Sequence, residues 1–228
     1  MGMTSGKQKT RRRIHFLFLP LSFFLVEVFA FLFLSLNTEE FRLAQLWPLA
    51  FGALWAAILS GFVRLFPSKA GRVVYGILYF VASIYAAVQT GYFYLFSEMM
   101  WLSDFRYASE GSDYFSVLLS YPIGWWLGLA ALAVQGIVIL VKFPRWKQKW
   151  STGIAAAAVI AASVGAACLP QAVFVQDGDI RYASSDYGRV QSAEAAYDNM
   201  FNAHRLYQVC GLYQTLEKDI YKNGIYPL

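Results

Sequence analysis

The chain has 228 residues, 58% of them hydrophobic and only 14% charged, with a formal charge of +5. That composition excludes an ordinary soluble domain and matches the membrane class. The positive charge lies beside apolar stretches rather than on one polar face, which argues against a nucleic-acid partner and for anionic lipid headgroups, worth about 1 kcal/mol per basic residue near the surface.

Residues 1–13 carry Lys7, Lys9, Arg11, Arg12 and Arg13 with no acid among them. A basic flank of this kind stays cytoplasmic. The apolar stretch 14–36 that follows is long enough to span a bilayer and has no small-x-small cleavage site after it, so it reads as an uncleaved signal anchor. Spans are expected again at 46–63 and 73–96, separated by Arg64, Lys69 and Arg72, and at 123–141 and 152–175, separated by Lys142, Arg145, Lys147 and Lys149. The last of these is Ala-rich at its start and holds Pro170 near its far end. Its residues Ala157, Ala161 and Gly165 make a small-residue stripe that would let helix backbones approach closely.

The expected architecture is therefore all-α: a polytopic bundle of five transmembrane helices over 14–175, N-terminus inside and C-terminus outside, in the plasma membrane. With that orientation all three basic clusters fall inside. Every Asp and Glu except Glu27 falls in a segment assigned outside, and Glu27 lies within the first span. Trp47, Tyr92, Tyr94, Trp101, Tyr121, Trp125 and Trp126 mark the outer interface, with Trp146 and Trp150 at the inner one. Pro122 suits the first turn of the fourth helix, with Ser120 as a candidate cap. The outer loop mixes Trp101 and Phe105 with Asp104 and Arg106, a composition that suggests a short helix in the interface plane.

After residue 175 the chain turns polar and tyrosine-rich, and 176–228 is too short for a sizeable independent core. A helix is expected from Ser192, with Gly211 as its candidate break and a second helix from Leu212 to Lys222. This extracytoplasmic helical tail carries Cys210, while Cys168 lies in the fifth span. Two cysteines imply neither a metal site nor a disulfide framework, though one bridge is open to them if both lie outside.

No catalytic motif is present: the chain has no HExxH, CxxC pair, phosphate-cradling glycine loop or GxSxG. His15 and His204 are expected on opposite sides of the membrane and cannot share a metal. Glu27 is the sharpest single residue, because a carboxylate inside a span costs about 2.5–3.5 kcal/mol on insertion scales. Its plain reading is a protonated or hydrogen-bonded side chain, with Gln89 or Gln135 as partner. Arg106 has the planar fork of donors that holds a lipid phosphate, or it pairs with Asp104 or Glu110.

Three features resemble the lipoteichoic acid synthase family, the sulfatase-like phosphoglycerol transferases of bacterial membranes. They are the five-span layout; the third span Val88-Gln89-Thr90-Gly91-Tyr92-Phe93-Tyr94 running on to Ser103-Asp104-Phe105-Arg106; and the tail Gly211-Leu212-Tyr213-Gln214-Thr215-Leu216-Glu217-Lys218-Asp219-Ile220-Tyr221. The resemblance implies that an extracytoplasmic catalytic domain, with manganese or magnesium and a threonine nucleophile, would follow the tail and act on phosphatidylglycerol. No residue here matches that metal-site motif, so no catalytic residue and no cofactor is expected in this chain. The expectation is a membrane anchor and linker, inactive alone, with Arg106, Trp101, Asp104 and Glu27 as the candidates for lipid or domain docking. The alternative is a small transporter or channel subunit, which would require several facing intramembrane ionisable groups or broken helices.

Overall fold

The structure is a computed structural model that describes residues 4–37, 46–101, 120–146, 155–166, 168 and 203–220. Six helices make it up, and no strand occurs among the described residues. They are α1 (Thr4–Asn37), α2 (Trp47–Leu65), α3 (Ser68–Phe96), α4 (Ile123–Val141), α5 (Ala155–Ala166) and α6 (Ala203–Asp219). Four of them, α1 over Leu17–Asn37 with α2, α3 and α4, are long and apolar enough to cross a membrane.

Helix α1 occupies the centre and touches α2, α3, α4 and α6. Its fully buried row, Leu19, Phe23, Val26, Ala30 and Leu34, recurs every three or four residues, the spacing that keeps side chains on one helical face. Phe23 meets Tyr75 edge to ring at 5.5 Å, and Tyr75 stacks on Tyr79. The helix starts ten residues before the expected span, because nothing in its basic flank stops it. Pro20 stands inside α1.

The ends of α2 to α4 are punctuated by proline and by the chain's few polar bonds. Pro48 occupies the first turn of α2, where its missing N–H leaves no orphan donor. Pro122 is the cap of α4 rather than a member of its first turn, and its carbonyl accepts the Trp125 N–H at 2.9 Å. At one end of the bundle Trp146 donates from its indole to the Phe66 carbonyl and exchanges bonds with the Ser68 hydroxyl. At the other end the Tyr121 hydroxyl donates to the Gly91 carbonyl at 2.8 Å, and Gln89 both donates to and accepts from the Met100 backbone. Connections expected on the same side therefore meet.

Helix α5 gives one correction. Its described residues, Ala155–Ala166, cover about 18 Å at 1.5 Å per residue, and the remainder of the expected 152–175 span, Cys168 aside, lies outside the described residues. Its buried residues are Ala155, Ala162 and Ala166, with Val159 packed on Gly61 of α2, whereas Ala157 and Ala161 face outward. In so alanine-rich a segment every face carries small residues, so the sequence stripe did not single out the packed one.

Helix α4 is tied to α3 by the Trp125 indole, which donates to the Thr90 hydroxyl at 2.9 Å, and by the Tyr79 hydroxyl, which donates to the Leu132 carbonyl at 2.8 Å. Thr90 keeps its own donation to Ala86, so Trp125→Phe removes one bond and leaves no donor unpaired, only an accepting lone pair on the Thr90 hydroxyl. The expected cost is about 1 kcal/mol, the scale of interhelical bonds in membrane bundles. Thermal unfolding in detergent should show it as a Tm lower by about 2–4 °C.

Candidate functional site

The polar centre of the molecule is a joint between α1 and the tail. Glu27 stands in the middle of the apolar part of α1, Leu17–Asn37, between Val26 and Val28 in the chain, and is fully buried. Such a carboxylate is tolerable only if donors reach it. They come from the backbone: the Leu212 N–H donates to Oε1 at 2.8 Å and to Oε2 at 3.0 Å. The expected glutamines are placed elsewhere: Gln89 is engaged with the Met100 backbone, and the Gln135 Oε1 lies 3.5 Å from the Tyr79 hydroxyl.

Gly211 explains why a backbone N–H is free there. Its φ of 75° and ψ of −174° are non-helical and break α6 into two halves. That region is essentially reserved for glycine. Leu212 thus opens a new helical half with unpaired N–H groups, and Glu27 caps it from another helix, as a carboxylate suits the positive end of a helix dipole. The Thr215 hydroxyl donates back to the Gly211 carbonyl at 2.7 Å and tightens the turn.

The space for this arrangement comes from two glycines. A side chain at Gly52 of α2 would collide with the Cγ of Glu27, and one at Gly211 would stand 2.5 Å from Glu27 Oε1 and 3.0 Å from the Pro48 carbonyl. Two further bonds fix the half-helix. The Tyr213 hydroxyl donates to the Phe23 carbonyl at 2.7 Å, one turn from Glu27 on α1, and the Trp55 indole of α2 donates to Gln214 Oε1 at 2.8 Å.

Most of α6 is consequently interior. Leu206, Tyr207, Cys210, Leu212, Tyr213, Lys218 and Asp219 are all buried, while Glu217 and Ile220 are exposed. Burial above all pushes the Cys210 thiol and the Tyr207 hydroxyl up from their ordinary values, with Glu217 and Glu27 adding to it at Cys210 and Glu27 at Tyr207. Cys210 and the exposed Cys168 are both free thiols.

Of the residues singled out from sequence, Glu27 is at the heart of the joint. Trp101 is half-buried and packs against the buried core, which also includes Leu212 and Tyr213 of the tail. Arg106 and Asp104, with the expected interface helix, lie outside the described residues, as do residues 176–202 of the tail. Among the described residues no three His, Cys, Asp or Glu side chains gather as a metal site.

No family model, curated protein or solved structure matches this chain. Sequence inspection missed Gly52, Trp55 and Gln214 as members of the joint. Trp55 and Gln214 carried the available signal, being hydrogen-bonding groups in segments otherwise read for their apolar positions.

Proposed function

We propose that this chain is a membrane platform whose bundle anchors and orients an extracytoplasmic enzyme through its C-terminal tail. It would have five spans, with the N-terminus cytoplasmic and the C-terminus outside in the plasma membrane. The orientation is argued from the three acid-free basic clusters. The observation that carries the anchoring role is the docked half-helix 212–219. A tail tied by its backbone to a carboxylate in the central helix transmits position, whereas a slack tether would not.

The partner enzyme is argued from the resemblance of the Gly211–Tyr221 stretch to the linker of lipoteichoic acid synthases, and its substrate on that reading is phosphatidylglycerol. Any manganese or magnesium would belong to that partner domain. Contact of Arg106, Trp101 and Asp104 with lipid or with the docked domain belongs to the same proposal.

One observation favours a second reading, a small transporter or channel subunit. The broken α6 brings buried Lys218 and Asp219 into the same bundle as Glu27, and discontinuous helices with buried charges are how transporters build their sites. Proteoliposomes separate the two. The anchor reading expects neither ion flux nor diacylglycerol release from phosphatidylglycerol by the purified 228-residue chain, with or without divalent metal. An ion flux abolished by Glu27→Gln would establish the second reading, and metal-dependent lipid cleavage would overturn the first.

A further inference from the structure

The tail does more than dock: together with α2 and α3 it walls a groove of about 370 Å³. The volume falls in the range of pockets that hold small ligands, roughly 300–1,000 Å³. Trp55 and Leu59 of α2, Leu78 and Val81 of α3, and Tyr213 and Leu216 of α6 form its walls. Ala82 lies at its floor and is buried, so the groove owes its depth there to a methyl group.

From these walls we infer that the groove holds one acyl chain of a bilayer lipid, and that the site exists only while α6 is docked. The inference rests on the membrane reading of the bundle. Leu59 and Leu78 to Ala82 then stand near the middle of their spans, at hydrocarbon depth. Val81 of the lining is 52% exposed, and Ile77 and Ile84, about one turn to either side on the same face of α3, are 59% and 47% exposed, so the groove adjoins an apolar outer face. An opening onto that face meets acyl chains before anything else.

Water is the poorer occupant. A held water needs two to four polar partners, and of the polar lining the Trp55 indole and the Tyr213 hydroxyl already donate to Gln214 and Phe23, which leaves the Glu217 carboxylate. An acyl chain replaces that deficit with dispersion contacts along a wall of leucine, valine and aromatic rings. Chain recognition of this kind is indifferent to the headgroup, so phosphatidylcholine and phosphatidylglycerol should fill the groove equally.

Photo-crosslinking tests the site directly. The full chain is reconstituted in nanodiscs of phosphatidylcholine containing a lipid with a diazirine at mid-acyl chain, irradiated, and mapped by peptide mass spectrometry. Adducts are expected on the 212–220 peptide and on Leu59. Val81→Trp, which fills the groove from an exposed rim position, should reduce those adducts about fivefold or more, since an overfilled cavity excludes its occupant. Labelling of the exposed α4 residues Leu127 and Val134 should be unchanged. Ala82→Phe, filling from the floor, provides the second variant. Strong α4 labelling with tail labelling absent, or undiminished in both filled variants, overturns the acyl-chain site. Absence of labelling on α4 as well overturns the membrane reading on which it rests.

Discussion

Glu27→Ala should release the tail from the bundle. The substitution removes both acceptors of the Leu212 N–H and leaves that donor buried, and a lost bond to a charged or buried partner costs about 1.5–3 kcal/mol. Each 1.4 kcal/mol is a factor of ten in an equilibrium, so the undocked population rises about ten- to a hundredfold. Cys210 reports it. The thiol is fully buried in α6 and held neutral by its surroundings, hence unreactive until the half-helices leave. In a Cys168→Ser background, maleimide labelling of the detergent-solubilised protein should therefore accelerate by about tenfold or more over the parent. Glu27→Gln keeps an amide oxygen for the Leu212 N–H and nearly the same shape beside Gly52, so its labelling should stay within a few-fold of the parent. Equal labelling of the alanine variant and the parent would show that the cap does not hold the tail.

The four long helices were legible from their apolar length, and both ends of α4 were placed to the residue, its start by Pro122 and its end by the first basic residue, Lys142. Helix α1 began early because a basic flank carries no helix stop, only a solvation preference. The joint was half legible. Glu27 announced itself as a carboxylate in an apolar run, and Gly211 as a break before a second helical stretch; each feature is an unfinished hydrogen-bond account. Their pairing was not legible, because the bond spans 185 positions and its donor is a main-chain N–H that every residue type shares. Side-chain candidates such as Gln89 and Gln135 looked better for that reason. The tail itself misled by composition. A segment with lysine, aspartate and glutamate reads as solvated, yet Lys218 and Asp219 are buried and only Glu217 of the three is exposed. What the sequence average hides is that the Leu212 N–H, the Tyr213 hydroxyl and the Gln214 amide are used in contacts with α1 and α2.

Gly211→Ala is expected to damage the same joint from the other side. With φ at 75° and ψ at −174°, an L-residue at 211 is strained whatever its surroundings, at about 1–3 kcal/mol. The added methyl also presses on Glu27 Oε1 and on the Pro48 carbonyl, which is backbone and cannot swing aside. The carboxylate therefore moves, and the Leu212 cap is lost together with the turn. Cys210 labelling should again accelerate about tenfold or more. The decisive measurement is the double variant. If the glycine serves chiefly to present the Leu212 N–H to Glu27, then once the carboxylate is gone the alanine has less left to break, and the combined loss falls short of the two single losses added by about 0.5–3 kcal/mol, as for residues sharing one contact. Strict additivity would mean that Gly211 and Glu27 act on the tail independently, and the cap would no longer explain why α6 bends where it does.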